Sequence, residues 1–347
     1  MKLGSRNIGK NFKPFVIAEM SGNHNHSLER ALEIVDAAAN SGVDALKIQT
    51  YTPDTMTLDL STNEFFINDT SSLWKGRSLY SLYQEAMTPW EWHQAIQARC
   101  LAKGIEFFSS PFDSTAVDFL ETLNVPFYKI ASFEITDLPL IKKVARTGKP
   151  ILMSTGMATV SEIREAVDTA RLNGADGIVL LKCTSSYPAE PKHANLATIK
   201  DLGEIFKTEI GLSDHTMGST VPIAGVALGA TVIEKHFTLN RVVGGVDSAF
   251  SMEPEEFASM IKDVNHAWES VGNVHYGLSE SEEKSKIFRR SIYFAQDVNE
   301  GDLLTEKNTR VIRPSLGLEP KHYEEVIGKK AAGDFKKGTP LSWDKIK

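Results

Sequence analysis

The feature that most constrains this chain is a rhythm of short, almost wholly apolar β-type runs, each closed by small polar or charged residues. The runs fall at 15–19, 45–50, 106–109, 127–130, 151–154, 177–183, 208–212 and 231–235. Strands that are apolar throughout suit a parallel sheet covered by helices on its faces. Amphipathic stretches at 28–40, 89–102, 115–123, 160–172 and 218–228 lie between them. Ser27, Thr88 and Ser161 stand where caps for three of these helices are expected. Eight strands alternating with helices predict an α/β fold closed as a (β/α)8 TIM barrel, in preference to an open doubly wound sheet.

Two stretches break the rhythm. Residues 51–87 are too long for an ordinary loop and hold Trp74, Tyr80 and Tyr83. They read either as a packed excursion with its own small core or as a loop that builds the site. A charged run at 279–286 reads as part of a linker, and from 287 onward short strands and turns replace the helices. The expected organisation is a barrel over 1–273, a linker over 274–286 and a small β-rich domain over 287–347.

Composition removes several function classes. Against 45 Asp and Glu there are 38 Lys and Arg, a formal net charge of −7. That balance leaves no general basic footprint for nucleic acid or an anionic membrane. Cys100 and Cys183 form no CxxC pair, which argues against a thiolate zinc site or a disulfide framework and fits a reducing cytoplasm. The start of the chain lacks a signal-peptide pattern, and the apolar stretch 221–233 is interrupted by Pro222, Gly225 and Gly229. A soluble, cytoplasmic protein is expected, and any anionic ligand must be met by locally placed cations and N–H groups.

In a barrel of this kind the chemistry belongs at the C-terminal ends of the strands. Those ends carry Glu19, Lys47 with Gln49, Ser109 and Ser110, Lys129 with Ser132 beyond, Ser154, Ser185 with Tyr187, Ser213 with His215, and Glu234 with Lys235 and His236. Lys47 and Lys129 sit inside apolar strands, where an unpaired ammonium is costly. Each must meet either a carboxylate lining the barrel or an anionic ligand, and Ser hydroxyls nearby suit phosphate or carboxylate oxygens. A class I aldolase would also place a lysine on a strand, for Schiff-base chemistry. His215 and His236, on neighbouring strand ends, read as hydrogen-bonded structural residues or as a pair for a divalent metal. Glu19 is a candidate base. Asp247, in Gly244-Gly245-Val246-Asp247-Ser248, is either a second acid–base group or an ordinary turn residue.

Six motifs in order carry a resemblance. They are Ala18-Glu19-Met20-Ser21-Gly22-Asn23-His24-Asn25, Leu46-Lys47-Ile48-Gln49-Thr50, Lys129-Ile130-Ala131-Ser132, Ser154-Thr155-Gly156-Met157, Gly211-Leu212-Ser213-Asp214-His215-Thr216 and Glu234-Lys235-His236-Phe237-Thr238. Together they resemble the sialic acid synthase family, and the tail is similar to that family's antifreeze-like (SAF) domain. The resemblance implies a synthase that condenses phosphoenolpyruvate with an amino sugar. It implies phosphoenolpyruvate binding by Lys47, Lys129, Ser132, Ser154, Ser185 and Ser213, with Tyr187 and Gln49 also facing substrate. His215 and His236 would hold Mn²⁺ or Mg²⁺, and Glu19 and Asp247 would handle sugar hydroxyls and the attacking water. Arg313, in Val311-Ile312-Arg313-Pro314, would reach the partner's site in a domain-exchanged homodimer.

Met20-Ser21, Lys182 before Cys183 and Ser248 after Asp247 depart from the branch making N-acetylneuraminate, and the run Gln49-Thr50-Tyr51-Thr52 and Trp74-Lys75-Gly76 stand with them. They are most similar to the branch making pseudaminic acid. That branch implies a 2,4-diacetamido-2,4,6-trideoxy hexose of altro configuration as acceptor, with N-acetylneuraminate or legionaminate synthesis as the alternative. Two other readings stay open, a Schiff-base aldolase and a non-catalytic carbohydrate-binding protein.

Overall fold

The computed structural model describes residues 1–70 and 72–347. The chain divides into two compact units, Met1–Gly272 and Asn273–Lys347. The first is a closed barrel of eight parallel strands. These are β1 Phe15–Glu19, β2 Ala45–Thr50, β3 Glu106–Pro111, β4 Tyr128–Ile130, β5 Ile151–Ser154, β6 Ile178–Cys183, β7 Glu209–Asp214 and β8 Val232–His236. β8 closes the ring against β1, with His236 opposite Glu19. Outside the ring lie α1 Leu28–Asn40, α2 His93–Ala102, α3 Ser114–Thr122, α4 Leu138–Ala145, α5 Val160–Leu172, α6 Thr198–Phe206, α7 Thr220–Ala227 and α8 Pro254–Val271. The expected barrel is therefore the fold of this unit.

Alternation along each strand sorts the side chains into two cores. Val16, Ala18, Leu46, Ile48, Ile130, Met153, Leu180 and Ile233 face outward into the layer shared with the helices. Phe15, Ile17, Ala45, Phe108, Phe127, Leu152, Val179, Leu181 and Val232 fill the interior, joined at the base by Leu3 and Ile8 from an N-terminal hairpin. At Gly211 a Cβ would come within 2.5 Å of the Val232 carbonyl and 2.6 Å of Leu181 Cδ2, so only glycine lets β7 pack against this layer. The plug is wholly apolar and leaves the upper end of the barrel for polar groups.

Boundaries differ from the sequence reading where caps were misplaced. α1 begins as expected, with Ser27 accepting from the Arg30 N–H. Thr88 caps nothing: it is buried against His24, and α2 starts after a 3-10 turn at Trp90–Trp92. The cap of α5 is Thr159, paired reciprocally with Glu162, and Ser161 lies inside the helix. β7 and β8 run further than expected, which puts Ser213 and His236 on the strands themselves.

The excursion at 51–87 contains helices Pro53–Met56 and Leu79–Ala86, with Leu82 and Ala86 buried. In the second unit β9 Ser291–Phe294 pairs antiparallel with β10 Thr309–Ile312 over a small core that includes Ile292, Phe294, Leu304 and Leu341. The stretch read as a linker belongs to this unit and carries an exposed 3-10 segment, Glu280–Phe288, started by Ser279 and Glu282. Among the described residues no helix is long and apolar enough to cross a membrane.

Candidate active site

The same alternation that fills the barrel with apolar side chains brings charged ones inward one step higher. Above Ile17, Ala45, Phe127 and Val232, the interior positions of β1, β2, β4 and β8 are Glu19, Lys47, Lys129 and Glu234. All four are buried. Lys129 Nζ lies 2.7 Å and Lys47 Nζ 3.1 Å from Glu234 Oε1, and Ser213 Oγ donates to the same oxygen at 3.0 Å. Lys47 Nζ is also 3.4 Å from Glu19 Oε2. The carboxylate alternative weighed for the two lysines is what the interior displays, and the partner is Glu234.

Burial works against charge on Glu234, but Lys129 and Lys47 overcome it and hold the carboxyl below its ordinary value. For Glu19 burial wins over Lys47, and its pKa rises to about 7. Burial opposes the Lys47 ammonium, yet Glu19 and Glu234 push its pKa up. Lys129 is lowered, chiefly by burial with Lys47 adding repulsion. The centre thus gathers two lysines on the Glu234 carboxyl, whose pKa they lower, beside a Glu19 carboxyl whose pKa is raised to about 7.

A hydrogen-bonded run leads from this centre to the loop after β8. Gln49 Nε2 donates to Glu19 Oε1 and to Ser21 Oγ, each at 3.0 Å. Ser21 Oγ lies 2.5 Å from Asp247 Oδ2, and the Gly22 N–H reaches the same oxygen at 3.5 Å. Asp247 is buried, which raises its pKa although Ser21 opposes the shift. It is not an ordinary turn residue. Trp74, from the excursion, donates its indole N–H to the Val246 carbonyl at 3.0 Å and so ties that segment to the Asp247 loop.

His215 and His236 stand together, their ring centroids 5.4 Å apart, with Tyr187 packed 4.4 Å from His215 and Phe250 4.9 Å from His236. His215 Nδ1 bonds the Thr184 carbonyl at 2.9 Å, which leaves Nε2 as its free nitrogen. Burial opposes protonation of His215, but Cys183 and the Thr184 carbonyl outweigh it and raise its pKa. Burial, with His215 and Lys47, keeps His236 neutral, and its Nδ1 is buried without a hydrogen-bond partner. Among the described residues no group of three or more His, Cys, Asp and Glu is placed to hold a metal ion. Two imidazoles side by side, His215 with Nε2 free and His236 with an orphaned Nδ1, therefore fit an open divalent site completed by water or substrate oxygens, and do not fit a closed structural cage.

The hydroxyls expected to meet an anion divide into two sets. Among the described residues Ser154 Oγ is buried and without a partner, as is Ser110 Oγ one position beyond the expected end of β3. Ser132 Oγ accepts from the Gly156 N–H at 3.2 Å. A Cβ on Gly156 would come within 2.2 Å of Ser185 Oγ and 2.7 Å of Ser132 Oγ, so this glycine leaves a cradle between two hydroxyls. Arg313 lies in the second unit, where it is exposed just past β10.

Three groups went unassigned at the level of sequence. Glu234 appeared there only as part of a strand end. Glu134 follows β4 on a 3-10 turn; burial raises its pKa to about 7, and its Oε2 is buried without a partner. Burial alone would push the Cys183 thiol up, but His215, Ser132 and Lys129 bring it down to about 7. The available signal was strand alternation: Glu234 and Cys183 share interior parity with Val232 and Leu181.

The NeuB family profile matches residues 34–276. The chain belongs to the NeuB family. A SAF domain profile matches 289–347, in agreement with the resemblance seen in the tail. NeuB-type relatives include the pseudaminic acid synthase of Helicobacter pylori, 47% identical over 96% of this chain and 98% of that one. A second is the pseudaminic acid synthase of Campylobacter jejuni, 43% identical over 98% of each. The crystal structure of N-acetylneuraminic acid synthetase from Leptospira borgpetersenii, in complex with citrate, superposes with a TM-score of 0.74 at 31% identity, covering 82% of this chain and 94% of that one.

Proposed function

We propose that this chain is a pseudaminic acid synthase, condensing phosphoenolpyruvate with 2,4-diacetamido-2,4,6-trideoxy-β-L-altropyranose to give pseudaminic acid and phosphate. The observation that carries the reading is the convergence of Lys47 and Lys129 on Glu234, next to the His215–His236 pair, in a chain of this family. The branch rests on relatives bearing the name pseudaminic acid synthase at 47% and 43% identity, against 31% for the N-acetylneuraminic acid synthetase structure.

In this reading Lys47 and Lys129 attract the anionic donor, and Ser132, Ser154, Ser185 and Ser213 supply hydroxyls to its carboxylate and phosphate oxygens. Glu234 offsets the lysines' charge while the pocket is empty and keeps both ammonium groups facing inward. Gln49, Tyr187 and Asp247 face the acceptor sugar, whose apolar deoxy carbon suits the aromatic wall of Tyr187, Trp74 and Phe250. His215 and His236 would hold a divalent cation, Mn²⁺ or Mg²⁺, which would supply Lewis-acid polarisation of the acceptor's aldehyde. The methylene carbon of the donor forms the new C–C bond to the aldehyde carbon, and positive charge develops at the carbon bearing phosphate. Glu19, with a pKa near neutrality, takes a proton from the water that attacks this carbon and passes it to the oxygen that was the aldehyde's, which becomes a hydroxyl. Phosphate then leaves with cleavage of its C–O bond, and the keto acid closes to a ring. The working unit is a homodimer in which Arg313 reaches the partner's acceptor.

Purified protein supplied with phosphoenolpyruvate and each of several acetamido sugars tests the proposal. The expected outcome is phosphate release only when donor, divalent metal and the altro-configured diacetamido sugar are all present. Equal turnover with N-acetylmannosamine would move the branch, and full activity in chelator would remove the His215–His236 role. Borohydride trapping of a pyruvate adduct on Lys47 or Lys129 would replace the mechanism with an aldolase.

A further inference from the structure

Ser21 follows β1 in a backbone conformation with φ 45°. This is the left-handed region, where glycine rests freely and a residue with a Cβ is strained. A strained residue that persists beside reactive groups calls for a compensating interaction, and here its hydroxyl has two. Ser21 Oγ stands 3.0 Å from Gln49 Nε2 and 2.5 Å from Asp247 Oδ2. An amide nitrogen has two protons and accepts nothing, so Gln49 gives one to Glu19 and one to Ser21. Ser21 Oγ gives its own proton to Asp247 Oδ2. With Asp247 ionised, the run is directed from the amide through the hydroxyl to the carboxylate.

The consequence is geometric. Asp247 belongs to the loop after β8 and Ser21 to the turn after β1, 226 positions earlier. Asp247 receives both Ser21 and the Gly22 N–H on Oδ2, so its other oxygen is the one offered to a ligand. Without the hydroxyl nothing else is bonded to Oδ2 at less than 3.5 Å among the described hydrogen bonds, and the carboxylate is free to turn. We propose that Ser21 is a positioning residue for the acceptor: its hydroxyl orients the Asp247 carboxylate toward the sugar, at the cost of a left-handed backbone that glycine would occupy without strain. The inference rests on the reading of Asp247 as an acceptor-side group and adds to it the residue that aims it.

Ser21→Gly removes the hydroxyl and relieves the strain together, so stability and binding should move in opposite directions. The expected result is a melting temperature equal to or above the parent's and an acceptor KM raised about tenfold or more, the loss of one hydrogen bond to a charged group. The phosphoenolpyruvate KM should stay within about twofold. Ser21→Ala should show the same split in KM values with a lower melting temperature, because it keeps the strained backbone. Acceptor affinity by calorimetry in an Asp247→Asn background should not change further when Ser21→Gly is added, since the effect passes through Asp247. An acceptor KM unchanged in both variants, a parallel rise of both KM values with a lowered melting temperature in Ser21→Gly, or a full additive loss in the Asp247→Asn background would each overturn the proposal. A parent enzyme that releases no phosphate with any acetamido sugar contradicts the synthase reading instead; an active parent with an indifferent Ser21 contradicts this inference alone.

Discussion

At the scale of single residues, Glu234 organises the site through one oxygen. Oε1 receives Lys47, Lys129 and Ser213, while Oε2 is buried without a partner among the described residues. The sequence shows that two lysines in apolar strands need partners, but not which ones. Their shared carboxylate is 187 positions from Lys47 and 105 from Lys129, a juxtaposition that exists only once β8 has closed on β1. Because the Glu234 pKa is held below the ordinary carboxyl value of 4.5, its contribution to stability is present above that pH and drains away as pH falls below it. Glu234→Gln leaves two buried ammonium groups with a weakened partner, which should cost about 3–5 kcal/mol at neutral pH. Denaturant titrations should show this gap at pH 7 and a smaller one at about pH 4, where the parent has begun to lose the same term. A gap that is constant with pH would mean that the carboxylate's charge is not what binds the cluster.

At the scale of elements, the strands were legible because burial on both faces leaves a run with almost no polar interruption. β1, β2 and β5 begin and end where the pattern says. Helix starts were less legible because several hydroxyls compete for each cap. Thr88 precedes a proline, as a cap often does, yet its side chain is spent on His24 and the helix begins further on. Thr159 and Ser161 both stand at the start of α5, and the reciprocal bond with Glu162 decides for Thr159. The excursion at 51–87 could be marked as unusual but not docked, since its contacts are long-range. Trp74 meets the Val246 carbonyl 172 positions away, and no local pattern announces such a bond. The same holds for Ser21: its motif was visible, whereas its left-handed backbone and its bond to Asp247 were not.

At the scale of the whole molecule, a net charge of −7 coexists with two lysines gathered at one centre, where Glu19 and Glu234 offset their charge. Composition sums over the surface, while the two lysines that matter are buried at one end of the barrel. The two units described here match the two family profiles, and Arg313 lies in the second of them. If Arg313 serves the partner's site, Arg313→Ala and Glu19→Gln chains should each be nearly inactive alone. After subunit exchange in equal amounts they should recover about a quarter of the parent's activity, because half of the dimers then hold one intact site. No recovery, with exchange verified by mass, would place the arginine in its own chain's site.

In the proposed reaction water attacks the carbon bearing phosphate, and phosphate departs by C–O cleavage. Turnover in ¹⁸O-labelled water tests it directly, with the released phosphate and the sugar acid weighed separately by mass spectrometry. Unlabelled phosphate and labelled sugar acid are the predicted result. Label in the phosphate would mean attack at phosphorus and would contradict the account.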